Sequence, residues 1–199
     1  TGPFAARTVL RNPEVDFAVL ETARGGILRR GLAVSSCDVA LITNISDDHL
    51  GLYGVDSLAA MAEVKAVVGQ VATRAVVLNA SDPELVALAP SFRAPVVYFA
   101  DLDGTVAPCA DLSAHAAAGG RAVIARAGEL LVTRGRDERA LLPIDAIPIT
   151  FGGVARYNVE NVLGVVAAAL ALDLSEAEIV GGLTSFAASD NPGRGQLLE

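Results

Sequence analysis

Residues 38–49, DVALITNISDDH, pass from an apolar run straight into Asn44, Asp47, Asp48 and His49, and the 199 residues hold only two histidines. A second apolar run, FAVLE at 17–21, ends at Glu21 and leads into TARGGILRRG. In an open α/β sheet, ligands bind beyond the carboxyl ends of the strands. A carboxylate and an imidazole delivered from two such ends suffice to hold one Mg²⁺, which takes one or two protein ligands and fills its remaining positions with waters and phosphate oxygens. The opposing reading makes Glu21 a helix cap and His49 a surface residue. Spacing alone leaves both open.

Lys65 adds a third group. On a helical wheel of about 100° per residue, a helix over 55–72 places Leu58, Met61, Ala62, Val68 and Ala72 on one side, with Lys65 among them and Glu63 and Gln70 opposite. A lysine in an apolar arc is costly unless it snorkels or finds a partner. Burial favours its neutral amine. A neutral amine can add CO₂, and the resulting carbamate is an anionic oxygen ligand. Snorkelling is the simpler alternative.

Asn158 and Asn161, in GGVARYNVENV, stand three apart and so share a helix face. Asparagine near a helix start is most often a cap, and it can also hydrogen-bond a nucleotide. The sequence contains no G-x-x-x-x-G-K-[ST] phosphate loop. ARGGILRRG and TFGGVARYN are glycine-containing loops without its lysine, each weak evidence for phosphate binding.

These groups must be positioned by a sheet. FAVLE (17–21), DVALIT (38–43), AVVLN (75–79) and PVVYF (95–99) read as strands buried on both faces. They alternate with helical patterns, one over 55–72 and one opening at Asp82 with Pro83 in its first turn. That alternation predicts an α/β fold with a mostly parallel sheet and flanking helices. RAVIARAGELLVTR, followed by LLPI and IPIT, predicts a small antiparallel β element between about 120 and 150. A deeply packed helix is expected over 157–172, and another over 175–186 opened by Ser175 and Glu178 in capping-box spacing. SDNPGRGQLLE has linker composition, which places a domain boundary near Asp190: 1–189 form one domain, and 190–199 begin the next.

Composition bounds the rest. The chain is 52% hydrophobic, 19% charged and 5% aromatic, so its core is aliphatic. A net charge of −8 without a basic block argues against nucleic acid and anionic membrane as partners. Cys37 and Cys109 share no CxxC spacing, no apolar run reaches about 18 residues and no signal peptide is evident, so a cytoplasmic location is expected. Self-association is left open.

The segment TNISDDHLGLYGVDSLAAMAEVK (43–65) resembles the part of the Mur ligase family that carries an asparagine, an Asp-His pair and then a lysine. The resemblance implies a P-loop NTPase-like central domain that uses ATP and Mg²⁺. It implies that Glu21 and His49 bind the metal, and that Lys65 is carbamylated and works with His49 in catalysis. It further implies that Asn158 and Asn161 contact ATP, and that Arg194, in NPGR, reaches the nucleotide from the start of the following domain.

Within the family, AVLETARGGILRRGL is similar to the cyanophycin synthetase branch rather than to the cell-wall or folylpolyglutamate ligases, and TGPFAARTVLRNPEVDFAVLE and DNPGRGQ fit the same branch. The similarity spans nearly the whole chain, most specifically 15–65 and 150–194, and is weakest over 100–147. It implies ATP-dependent activation of a carboxylate as an acyl phosphate, then attack by an amine, joining arginine to aspartate side chains of a polyaspartate polymer. The family's P-loop precedes this region and is not in the sequence, so the piece is expected to be inactive alone and one side of its sheet to be left open. Three other readings remain: another Mur-type peptide ligase, a non-catalytic nucleotide-binding or scaffold module, and a metal-dependent hydrolase. The last would ordinarily need more His and Asp ligands.

Overall fold

The aliphatic runs build one six-stranded sheet with strands in sequence order: β1 (Cys37–Ile42), β2 (Ala72–Asn79), β3 (Val96–Asp101), β4 (Arg121–Arg126), β5 (Glu129–Arg134) and β6 (Asp137–Pro143). The structure is a computed structural model and describes residues 2–47, 50–187 and 190. β1 to β4 run parallel, and β5 and β6 complete the sheet antiparallel. The helices are α1 (Pro3–Leu10), α2 (Arg24–Arg30), α3 (Leu58–Gln70), α4 (Pro83–Leu88), α5 (Leu112–Ala117), α6 (Arg156–Ala171) and α7 (Glu176–Ser185).

Alternation along the strands sends side chains to two cores. Ala40, Ile42, Val76, Leu78, Tyr98 and Ile124 meet Leu85 of α4, with Val68 of α3 and Leu112 of α5 packed against them. Val77, Val97, Phe99, Val123 and Leu130 meet Val159, Leu163 and Val166 of α6 and Ile179 of α7. Three successive crossovers stepping the same way across the sheet therefore lie on one face, and α6 covers the other. Gly164 lets α6 lie close: a Cβ there would stand 3.2 Å from Leu41 Cδ1 and 3.4 Å from Phe99 Cε1.

Local signals set several boundaries. Ser57 Oγ accepts from Ala60 N (3.1 Å), so α3 starts at Leu58. It ends at Gln70 because β2 already begins at Ala72, earlier than the aliphatic run alone indicates. Asp82 Oδ1 caps α4 through Leu85 N (3.0 Å). Ser175 and Glu178 form the reciprocal capping box of α7. The β4–β5 hairpin turns on Ala127 (φ 53°) and Gly128 (φ 77°), the two-residue turn with both φ positive that suits sheet twist. The antiparallel element is thus continuous with the parallel sheet.

The strand expected at 17–21 does not form. Those residues are extended but enter no ladder among the described residues, and Phe17 and Val19 are 61% and 88% exposed. A strand exists only through a neighbour's hydrogen bonds, and composition cannot supply the neighbour. β1 is accordingly an edge of the described sheet. The stretch IPIT is also not a strand: Pro148–Thr150 form a 3₁₀ turn, since Pro148 has no N–H for a ladder. TARGGILRRG, read as a loop, contains α2. Among the described residues no helix is long and apolar enough to cross a membrane.

Candidate active site

Because β1, β2 and β3 are parallel, the loops after Ile42, Asn79 and Asp101 share one rim. Buried carboxylates stitch these loops together. Asp82, 8% exposed, caps α4 with one oxygen and with the other accepts from Ile45 N (2.5 Å), tying the loop after β1 to the turn after β2. Asn79, also buried, folds back to accept from Ser81 N (2.9 Å).

Lys65 reaches this rim. It is half-buried on α3, between Met61 and Gly69 on the buried side, and its Nζ donates to the Asn44 carbonyl at 2.9 Å. The amine therefore escapes the apolar arc toward the loop that carries Asn44 and Asp47. Arg24 Nη1 lies 4.0 Å from Met61 Sδ, which sets α2 beside α3. From the same helix, Arg29 stacks over the Tyr53 ring at 5.0 Å. Tyr53 (φ 60°) stands between Gly51 and Gly54, both also at positive φ, in a tight loop closed by Gly51 N on Val55 O (2.9 Å). The loop after β1, the segment behind Glu21 and the lysine helix are thus brought to one end of the sheet.

Glu21 is exposed, two residues before the N-cap Ala23 of α2, and makes no side-chain hydrogen bond or ion pair among the described residues. It does not cap the helix. His49 and Asp48 lie outside the described residues, as does Arg194. No group of three or more His, Cys, Asp or Glu able to hold a metal occurs among the described residues. The donor chemistry present, a free carboxylate at Glu21 and oxygens of Asn44 and Asp47, is the hard-oxygen kind that Mg²⁺ takes.

The two asparagines differ. Asn158 is 9% exposed, and its Nδ2 donates to Ile149 O (2.7 Å), which fastens the start of α6 to the preceding 3₁₀ turn. Asn161, one turn on, is exposed. Neither is the N-cap, which is Ala155.

Sequence reasoning missed the pair at the β3 end. Asp101, its side chain 2% exposed, takes a two-pronged ion pair from Arg156 at the start of α6, with Nε on Oδ2 at 2.7 Å and Nη2 on Oδ1. Arg156 Nη1 also donates to Gly153 O (3.3 Å). The partners lie fifty-five residues apart, so spacing carries no trace of them, although the strand-end rule marks Asp101. Nearby, burial pushes the Glu160 carboxyl above its ordinary range, the Asp101 charge adds to the rise, and Arg156 opposes it. Asp103 accepts from Ala127 N (2.8 Å) and Gly128 N (2.9 Å), holding the hairpin turn against the rim. Between that turn and Gly152–Gly153, both at positive φ, lies a cavity of about 370 Å³ with Arg156 in its wall. The glycine loop TFGGVARYN therefore borders this cavity.

Comparison with known proteins identifies a family. The family model for the Mur ligase middle domain matches residues 5–169. The chain is 38% identical over 203 aligned residues to a cyanophycin synthetase of Synechocystis sp., and 37% identical to those of Crocosphaera subtropica and Trichormus variabilis. Each alignment covers all of this chain and 23%, 23% and 22% of the respective relative, so the chain spans under a quarter of the length of these relatives.

Proposed function

The chain belongs to the Mur ligase middle-domain family, and on that premise we propose that it is the central catalytic part of a cyanophycin synthetase-like ATP-dependent ligase, one that joins arginine to aspartate side chains of polyaspartate. In this reading residues 1–189 are the middle domain and 190–199 open the next one. The observation that carries it is the approach of Lys65 Nζ to the loop after β1, in a chain aligned from end to end with cyanophycin synthetases.

Glu21 and His49 would hold Mg²⁺, with Lys65 as its carbamate supplying a further anionic oxygen. When bound, the cation neutralises phosphate charge during transfer. Asn161, Asn158 and Arg194 would bind ATP, and the cavity beside Gly152 and Gly153 would receive part of the nucleotide. Asp101 holds Arg156, and through it the first turn of α6, so that Asn158 on that turn and Asn161 on the next would meet the ligand in a fixed geometry. The substrate carboxylate becomes an acyl phosphate with release of ADP, and the arginine amine then displaces phosphate to form the amide. The absence of a G-x-x-x-x-G-K-[ST] loop from the 199 residues leaves the phosphates without a backbone cradle and its lysine. These residues by themselves should not turn over ATP. The second reading is a nucleotide-binding module without chemistry.

The test is Lys65→Ala in the full-length protein, read as arginine-dependent ADP release. A carbamate role predicts a loss of about 100-fold or more, in the range of removing one charge-stabilising group, partly restored by acetate. Lys65→Arg should stay inactive, since a guanidinium does not lose its proton to react with CO₂. Full activity in Lys65→Arg would sink the carbamate. A full-length protein with no arginine-dependent ADP release would favour the module.

A further inference from the structure

At the end of the sheet opposite the rim, where β3 and β4 begin and β5 ends, a cavity of about 430 Å³ lies between the sheet and α6. Its floor is apolar, with Val123, Val132 and Leu170 in it. Two arginines stand over that floor. Arg121 and Arg134 are directly opposite one another in the β4–β5 register. Each shares the α6-facing side of its strand, Arg121 with Val123 and Arg134 with Val132.

Like charges directly opposite each other on antiparallel strands are destabilising. Asp137, opposite Arg134 in the β5–β6 register and lining the same cavity, offsets part of that repulsion. Among the described residues neither side chain makes a hydrogen bond or ion pair. The surrounding charges are otherwise used: Arg139 pairs with Glu176, and Glu138 pairs with Arg126. Asp137 is exposed and forms no ion pair with either arginine. In a chain of net charge −8, two guanidiniums held by no ion pair among the described residues stand over an open cavity, where an anion can take both. A guanidinium matches a carboxylate in a planar two-pronged fashion, and the valine floor suits a short aliphatic stem.

We propose that this cavity is a carboxylate-binding site, with Arg121 and Arg134 sharing one carboxylate of an aspartate-like acid, either free or carried on an acidic peptide. The site is separate from the rim and does not depend on how the rim is read.

Hydrogen exchange of the full-length protein, followed over residues 121–134, tests it with L-aspartate, a tri-aspartate peptide and inorganic phosphate as separate additions. Aspartate or the peptide should slow exchange in that segment. Protection by both assigns a free acid as sufficient, and protection by the peptide alone assigns the acidic chain. In Arg121→Gln/Arg134→Gln the protection should vanish while residues 156–171 exchange as before. Arg121→Lys/Arg134→Lys, which keeps charge and loses the planar fork, should need about tenfold more ligand for the same protection. No slowing with either acid, slowing by phosphate alone, or protection that survives in the double Gln variant would each overturn the proposal.

Discussion

The two halves of the rim are held in opposite ways. At the β3 end, Asp101 is nearly sealed from solvent and grips Arg156 with both oxygens. The whole arrangement rests on α6, the most deeply packed helix of the molecule. At the β1 end, the groups arrive on long arms: Lys65 with a hydrogen bond to Asn44 O, and Arg29 with a stack on Tyr53. There Glu21 stands in solvent on an extended segment that no strand pairs among the described residues. One half is built before any ligand arrives, and the other is adjustable. In the reaction proposed above, a site that holds a nucleotide still while a cation and two successive nucleophiles come and go would use both.

If that contrast is right, the largest structural penalty falls on the β3 half. Asp101→Ala leaves Arg156 without its carboxylate and opens the join between β3 and α6. Breaking a buried ion pair costs about 3–5 kcal/mol when both partners are sealed. Arg156 is 37% exposed, so water screens part of the loss, and about 1–3 kcal/mol is expected. Amide exchange in α6 of the full-length protein reads this directly. Unchanged protection of residues 156–171 would show that the pair is not what fixes this half.

A smaller effect is expected at the β1 half. Arg29→Ala removes one cation–π contact at a partly open site, about 0.5–1 kcal/mol. It should raise the Mg²⁺ concentration needed for half-maximal turnover by a few-fold and leave the stability of α6 untouched. Tyr53→Phe keeps the ring face and should behave as wild type. If Arg29→Ala instead unfolds the domain, the β1 half is as rigid as the other and the contrast fails.

How much of this was legible beforehand follows the reach of each signal. The caps at Asp82 and Ser175 were readable because a cap and its target lie three residues apart. The aliphatic runs that became β1, β2 and β3 were readable because a strand buried on both faces leaves a continuous apolar stretch. FAVLE carries the same stretch and forms no ladder among the described residues, since pairing is a property of two segments. α2 was missed because its Gly25 and Gly26 read as a turn. The place of Lys65 in the apolar arc left burial and snorkelling both open, and Lys65 reaches out of that arc to Asn44. Asp101 with Arg156, and Arg121 against Arg134, are long-range or register facts. No periodicity in one sequence encodes the first, and the second appears only once the Ala127–Gly128 turn sets the hairpin.

The smallest effect concerns Glu160, on the rigid half. Burial, and then the Asp101 charge, hold its carboxyl above the ordinary carboxylate range, with Arg156 pulling the other way. A carboxyl raised in the fold binds its proton more tightly there than in the unfolded chain. Its contribution is therefore fully present below the unfolded value. It is lost as pH rises through the folded one, and the loss persists at neutral pH. Glu160→Gln, which stays neutral, should flatten that part of the stability profile and make the protein modestly more stable at pH 7. The measurement is thermal unfolding of full-length wild type and variant from acid to neutral pH. In an Asp101→Asn background the main neighbouring negative charge is gone while Arg156 remains, so Glu160 should ionise more readily and the gain from Gln should shrink. An undiminished gain in that background would mean that burial alone sets Glu160, and that the Asp101–Arg156 pair does not extend electrically to the next turn of α6.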